Sequence, residues 1–360
     1  MSNIQQESSN AGVHTLIHPS GISASISEHG ALLLNLFISR TNGPPLDVVQ
    51  GYPHLTDYAL GNPYRGAVIG RVANRIRDAR FVLDGRDVQL AANHGAHQLH
   101  GGPTGLHNQV WRMAHIDSSS LTMTTTLPHG ASGFPGDLDV SIRYALTEDQ
   151  TIRMEMKATT NAPTLVNLTH HAYFNLDGME AASIAGHRLT VFSDQFTPGD
   201  EDLIPTGEIA EVAGTVLDLR QGRLIGEILS SGDPLLSAAG GLDHNFILRR
   251  NGKDLVHAAR LSSARSGLIM DTWTTQPGLQ VYTSNQERSA QPGKHGKPHG
   301  IHSAICLECQ GFPDAIHHPG FPSWVLRPGE VYHQVIEYRF RESTSPNRSS
   351  AGSSPTEEPG

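Results

Sequence analysis

Cysteine is nearly absent from this 360-residue chain: Cys306 and Cys309 alone occur, inside Ile305-Cys306-Leu307-Glu308-Cys309. The apolar neighbours read as a strand, in which positions three apart face opposite sides, so the spacing argues against both a disulfide and a zinc site. Long hydrophobic runs are missing too, and the start, Met-Ser-Asn-Ile-Gln-Gln-Glu, lacks the basic and then apolar pattern of a secretory leader. The expectation is a soluble, cytoplasmic protein without membrane contact. Positive charge is scarce: 26 Lys plus Arg stand against 35 Asp plus Glu, a net charge of -9, with no local basic patch. Nucleic acid is therefore not an expected partner. Helical periodicity is scarce as well, with Leu224 to Leu229 the one short candidate.

What the chain does have is 37 Gly, 22 Pro and 21 His. Glycine and proline spread at that level suit many short strands joined by turns. Phe81-Val82-Leu83 and Val88-Gln89-Leu90 flank Asp84-Gly85, a strong hairpin signal. Val140, Ile142, Tyr144 and Leu146 alternate with polar residues, and Ile152, Met154 and Met156 do so after a turn at Thr147 to Gln150. Leu279 to Thr283 and Val331 to Tyr338 continue the theme. Residues 1–12 and 343–360 are too polar to offset the cost of ordering and read as disordered tails. Between them, over 13–342, neither a linker nor a repeat interrupts one domain. The fold expected is all-β, a large antiparallel sandwich of sheet on sheet.

Four segments could carry chemistry. In Val166 to Leu176, read as extended, Asn167, Thr169, His171, Tyr173 and Asn175 share one face, and His170 falls on the other. That polar face suits a ligand-lined surface and equally a solvated one. Glu308 interrupts an apolar run, and such a carboxylate needs a partner or a function; a structural ion pair and a catalytic role both account for it. In Leu99-His100-Gly101-Gly102 the glycines leave His100 on a loop able to meet a ligand. His94, His97 and His100 would suit a metal on a helix, but Gly95, Gly101 and Gly102 argue against the helix, so no metal is expected. In Gly70-Arg71-Val72-Ala73-Asn74-Arg75-Ile76, Asn74 and Arg75 offer donors suited to sugar hydroxyls, although such an arginine also fits an ordinary surface.

Taken in order, Gly-Arg-Val-Ala-Asn-Arg-Ile at 70–76, Leu-His-Gly-Gly at 99–102, Asn-Leu-Thr-His-His-Ala-Tyr-Phe-Asn-Leu at 167–176, Gly-Leu-Asp-His-Asn-Phe at 241–246, Gln-Pro-Gly-Leu-Gln-Val-Tyr-Thr-Ser-Asn at 276–285 and Leu-Glu-Cys-Gln-Gly-Phe-Pro-Asp-Ala at 307–315 resemble the aldose 1-epimerase (galactose mutarotase) family. The resemblance spans about residues 13–342. It implies a large β-sandwich with a sugar cleft, Glu308 as general base, His171 as general acid, and Asn74, Arg75, His100, Tyr173, Asp243 and Gln280 on substrate-binding motifs. It implies neither a metal nor another cofactor. The chain departs from the family where His97, His170 and His317 replace the usual asparagine and Gln276 a frequent glutamate; strand parity selects His171 over His170, because His171 shares a face with Tyr173.

The reaction so implied moves one proton off the C1 hydroxyl of a free aldohexose and another onto the ring oxygen, opening the pyranose so that it recloses on the other face. It requires His171 as imidazolium and Glu308 as carboxylate, with a nearby carboxylate such as Asp243 raising the histidine pKa. Three other readings remain. A hexose-6-phosphate 1-epimerase would use Arg71, Arg75 and Arg77 as a phosphate clamp; a glycosidase would pair Glu308 with Asp243; a binding protein would hold sugar without turning it over. Whether the protein is a monomer or a homodimer is left open.

Overall fold

The computed structural model describes residues 11–250, 252, 254–286 and 290–343. Its largest sheet is antiparallel and nine-stranded, running in space through Arg112–Ile116, Ser120–Leu127, Leu138–Thr147, Thr151–Thr160, Tyr332–Glu342, Leu268–Thr274, Val256–Ser263, His187–Val191 and Arg223–Leu224. Alternation explains it. In Leu138–Thr147 the side chains of Leu138, Val140, Ile142 and Tyr144 are buried, while Asp139 and Arg143 are exposed. One face of each strand therefore supplies core and the other meets water. This strand pairs with Thr151–Thr160 along its full length, from Leu138 opposite Thr160 to Thr147 opposite Thr151. The Asp84-Gly85 hairpin also forms, joining Arg80–Leu83 to Arg86–Gln89. The short helical candidate is the helix Ile225–Leu229.

Two smaller antiparallel sheets cover the inner face of the large one. The first has four strands, Val13–Ile17, Ser23–Ser27, Leu33–Ile38 and Leu46–Asp47; the second has five, in the order Ala210–Glu211, Gln195–Thr197, Asp243–Ile247, Gly278–Tyr282 and Cys306–Gln310. The shared core takes Met154, Met156 and Ile336 from the large sheet, Leu36 and Ile38 from the four-stranded one, and Leu279, Val281 and Leu307 from the five-stranded one. Buried tyrosines tie the layers: Tyr144 donates its hydroxyl to Ala31 O at 2.7 Å, and Tyr338 to Leu307 O at 3.0 Å. The sandwich expected from the strand pattern is thus present.

The strand Cys306–Gln310 is buried along its whole length. Leu307 and Cys309 enter the core, which leaves Cys306, Glu308 and Gln310 on the opposite face by strand parity. On its open flank lies the segment 166–175. Asn167 accepts from the Gly311 amide at 2.8 Å, Thr169 donates to Cys309 O at 2.9 Å, and Phe174 and Ile305 exchange backbone hydrogen bonds. The polar face of 167–175 is therefore neither solvated nor wholly ligand-lined: Asn167, Thr169 and Asn175 satisfy neighbouring backbone inside the protein.

The tails expected at 1–12 and 343–360 fall almost wholly outside the described residues. At their inner ends, the Gly12 amide donates to Glu28 at 2.9 Å and the Ser343 amide to Gly267 O at 2.7 Å. Among the described residues, no helix is long and apolar enough to cross a membrane.

Candidate active site

At one end of the five-stranded sheet lies a cleft of about 310 Å³ lined by Asn74, Arg75, His100, His171, Tyr173, Asp243 and Glu308, together with Asn62, Tyr64 and Tyr282. His171 is fixed first by its backbone, which donates to Ala67 O and accepts from the Gly66 amide, both at 2.9 Å. Its ring stacks on Tyr173 with centroids 5.0 Å apart and an interplanar angle of 14°. Its Nε2 lies 3.6 Å from Glu308 Oε1. Both side chains are nearly sealed from solvent, at 5% and 3% exposure, yet both border the cleft. Glu308 Oε2 has no hydrogen-bond partner among the described residues.

The facing wall comes from the loop after Gly70. Asn74 sits in the left-handed region with φ 63°, and its Oδ1 accepts from the Arg75 amide at 2.9 Å. The Asn74 amide donates to His100 Nδ1 at 3.2 Å. His100 is thereby held as the neutral tautomer carrying its proton on Nε2. Arg75 lies 3.8 Å from Asp243, whose other oxygen accepts from Gln280 Nε2 at 2.6 Å.

Burial controls the charges. Loss of hydration drives His171 down to about 3, and the cationic Arg65 nearby pushes the same way. Loss of hydration also raises Glu308 well above the usual carboxylate range; Asp243 adds to that rise and Arg75 opposes it. This corrects the charge states read from sequence. Both shifts run against an ion pair and favour neutral His171 with protonated Glu308, because neither imidazolium nor carboxylate is hydrated there. Asp243 acts on Glu308, raising it further.

One group of possible metal ligands forms among the described residues: His100, His171 and Glu308 offer atoms within 4.8 Å of one another. Its chemistry is wrong for a cation. The Asn74 amide occupies the lone pair of His100 Nδ1 and leaves a proton, not a lone pair, on Nε2. The trio considered from sequence forms no such group among the described residues: His97 accepts from the Asp78 amide at 3.0 Å, while His94 and His100 line the cleft.

Seven of the eight expected site residues thus meet in one cleft. Gln280 does not line it; it stands behind Asp243, opposite Glu308 in the strand register. His170 is buried elsewhere, 6.0 Å edge-on from Tyr144, with neither ring nitrogen hydrogen-bonded among the described residues. Asn62 and Tyr64 were missed. They lie in Asn62-Pro63-Tyr64, where proline beside an aromatic residue was the available signal, and Asn62 donates to the Tyr173 hydroxyl at 2.9 Å. The arginine clamp also disperses. Arg71 points away, bonding the carbonyls of Leu127, Pro135 and Gly136 at 3.1, 2.7 and 3.0 Å. Arg77 pairs with Asp200 at 2.6 Å.

The family profile described as aldose 1-epimerase matches residues 12–339. The chain belongs to the aldose 1-epimerase family. Galactose mutarotase from Sus scrofa is 40% identical over 311 residues, covering 86% of this chain and 89% of that one. Aldose 1-epimerase from Escherichia coli K12 is 34% identical over 329 residues, covering 91% and 94%. Among solved structures, an aldose epimerase homologue from C. elegans superposes with a TM-score of 0.86 at 30% identity, covering 93% of this chain and all (100%) of that one. Galactose 1-epimerase from Lactobacillus acidophilus gives 0.79 at 28% identity, covering 92% and 95%. None of His97, His170 and His317 is among the residues that line the cleft.

Proposed function

We propose that this protein is an isomerase, an aldose 1-epimerase that interconverts the α and β anomers of free hexoses such as D-glucose and D-galactose by acid/base ring opening and closure. The observation that carries the chemistry is the Glu308 and His171 pair, 3.6 Å apart at the bottom of a cleft rich in hydrogen-bonding groups. Glu308 takes the proton of the C1 hydroxyl and His171 delivers one to the ring oxygen. For that step the shared proton must stand on the histidine. A sugar hydroxyl donating to Glu308 Oε2 stabilises the carboxylate and draws the proton across to His171. The opened aldehyde then faces neutral His171 and protonated Glu308, which is the charge state favoured by burial. Rotation about C1–C2 and reversal of both transfers gives the other anomer, each positioned group contributing roughly 10²–10⁴-fold.

Asn74, Arg75, His100, Tyr173 and Asp243 hold the sugar, His100 as a donor through Nε2, while Gln280 orients Asp243 from behind. The dispersal of Arg71 and Arg77 favours an unphosphorylated sugar. Metal and other cofactors have no role in this scheme. The free thiols Cys306 and Cys309 are compatible with the reducing cytoplasm. The test is polarimetry of freshly dissolved α-D-glucose and α-D-galactose with catalytic amounts of protein. Faster approach to an unchanged equilibrium rotation supports the reading; a rate equal to the spontaneous one with both sugars overturns it.

A further inference from the structure

Arg65 is fully buried, with 0% of its surface exposed, and it belongs to the structure around His171 without lining the cleft. Its Nη1 donates to Gln50 Oε1 at 2.7 Å, and its guanidinium carbon lies 4.0 Å from the centroid of the Tyr173 ring. That is the ring on which His171 stacks. The same Gln50 donates its amide to Tyr173 O at 2.8 Å, and its side-chain nitrogen to Ser303 O at 3.0 Å, so its orientation is fixed. Gly66 and Ala67, next to Arg65, form the backbone pairs of His171. The arginine therefore shares its support with the histidine through backbone, ring and a common glutamine.

We infer that Arg65 is the positioning residue of the acid/base pair, holding the Tyr173 ring against His171 and setting by its fixed positive charge the acid limit of the pH range over which the pair carries a single proton. This rests on the acid/base reading given above. Every titratable or charged group facing the pair enters the balance. Glu308, His100, Tyr64, Tyr173 and Tyr282 surround the His171 ring, with His107 and His170 behind, and the Cys306 thiol stands between Tyr173 and Glu308, held protonated by burial. Arg75 and Asp243, 3.8 Å apart, oppose each other beside Glu308. The Arg65 cation opposes protonation of His171, whereas Glu308 answers to Asp243 and Arg75, so Arg65 lowers the macroscopic pKa at which the pair takes up its second proton, on the histidine. Taking its charge away moves the acid limb of the pH profile upward and leaves the alkaline limb nearly in place.

Two variants test this. Arg65→Met removes the charge at similar length. Gln50→Glu leaves Arg65 in place and neutralises its field with a carboxylate at the position of the 2.7 Å contact. For each, kcat and KM for α-D-galactose are followed by polarimetry across pH, and the His171 ring proton is followed by NMR in sugar-free protein, assigned against His171→Asn. The expected result is an upward shift of the acid limb, set by His171, by about 0.5 unit or more, a fall in kcat with KM nearly unchanged, and that limb restored to its original pH in Arg65→Lys. Should Arg65→Met fail to fold, Gln50→Glu alone decides. An acid limb coinciding with that of the parent protein, even with lower activity, reduces Arg65 to a packing role and overturns the inference. An inactive parent protein defeats the functional reading instead, and the NMR titration then still decides for Arg65: an unmoved His171 titration overturns the inference, and an upward shift supports it.

Discussion

Two adjacent histidines illustrate how much one position along a strand decides. His171 stacks on Tyr173 and approaches Glu308, while His170 packs edge-on against Tyr144, away from the cleft. Replacing His171 by Asn or Glu308 by Gln should lower kcat by about 10²-fold or more while calorimetry still detects sugar binding; near-normal turnover in either variant would refute its assigned role. His170→Asn should keep kcat and KM within about threefold of the parent, since a change of roughly 0.7 kcal/mol in transition-state binding is all that distance from the reacting atoms predicts. Strand parity makes this distinction legible from the order of residues alone. Charge state is not legible there, because it depends on burial by segments far away in sequence. The same holds for Gln280, whose motif implied sugar contact and whose side chain is engaged by Asp243.

At the scale of elements, the strand carrying Glu308 depends on its neighbour. It is the last strand of its sheet, and side chains of the 166–175 segment supply partners along its open flank. Asn167 bonds both the amide and the carbonyl of Gly311. Asn167→Ala should cost about 1–3 kcal/mol, the usual penalty for stranding buried polar groups, read as a lower urea midpoint with unchanged m. A midpoint equal to that of the parent would show that Gly311 finds other partners. Hairpins such as Leu138–Thr147 with Thr151–Thr160 were readable because their partners are local and alternation marks the buried face. The pairing of 166–175 with Cys306–Gln310 was not, since about 140 residues separate Thr169 from Cys309 and no local period encodes it. Tyr64 and Asn62 stayed hidden for the same reason.

For the molecule as a whole, buried histidine sets the response to acid. His107, His170, His171 and His299 are all held down to about 3 by loss of hydration. In the unfolded chain each titrates near 6.5. Between these values the unfolded state binds protons that the folded state refuses, so the stability they contribute is intact above about 6.5 and declines as pH falls, by about 1.4 kcal/mol per unit for each histidine. The melting temperature should drop steeply from pH 6.5 to 5 and lie nearly flat from 7 to 8. A flat profile through pH 5 would mean that the histidines protonate in place.

The cleft draws its groups from residues 62–64, 74–75, 100, 171–173, 243 and 308. Loop closures this long make such pairings slow to form, however early the hairpins appear. After dilution from denaturant, strand content should therefore return ahead of any catalytic competence, so that the optical rotation of a sugar solution reports when the last long-range register has locked.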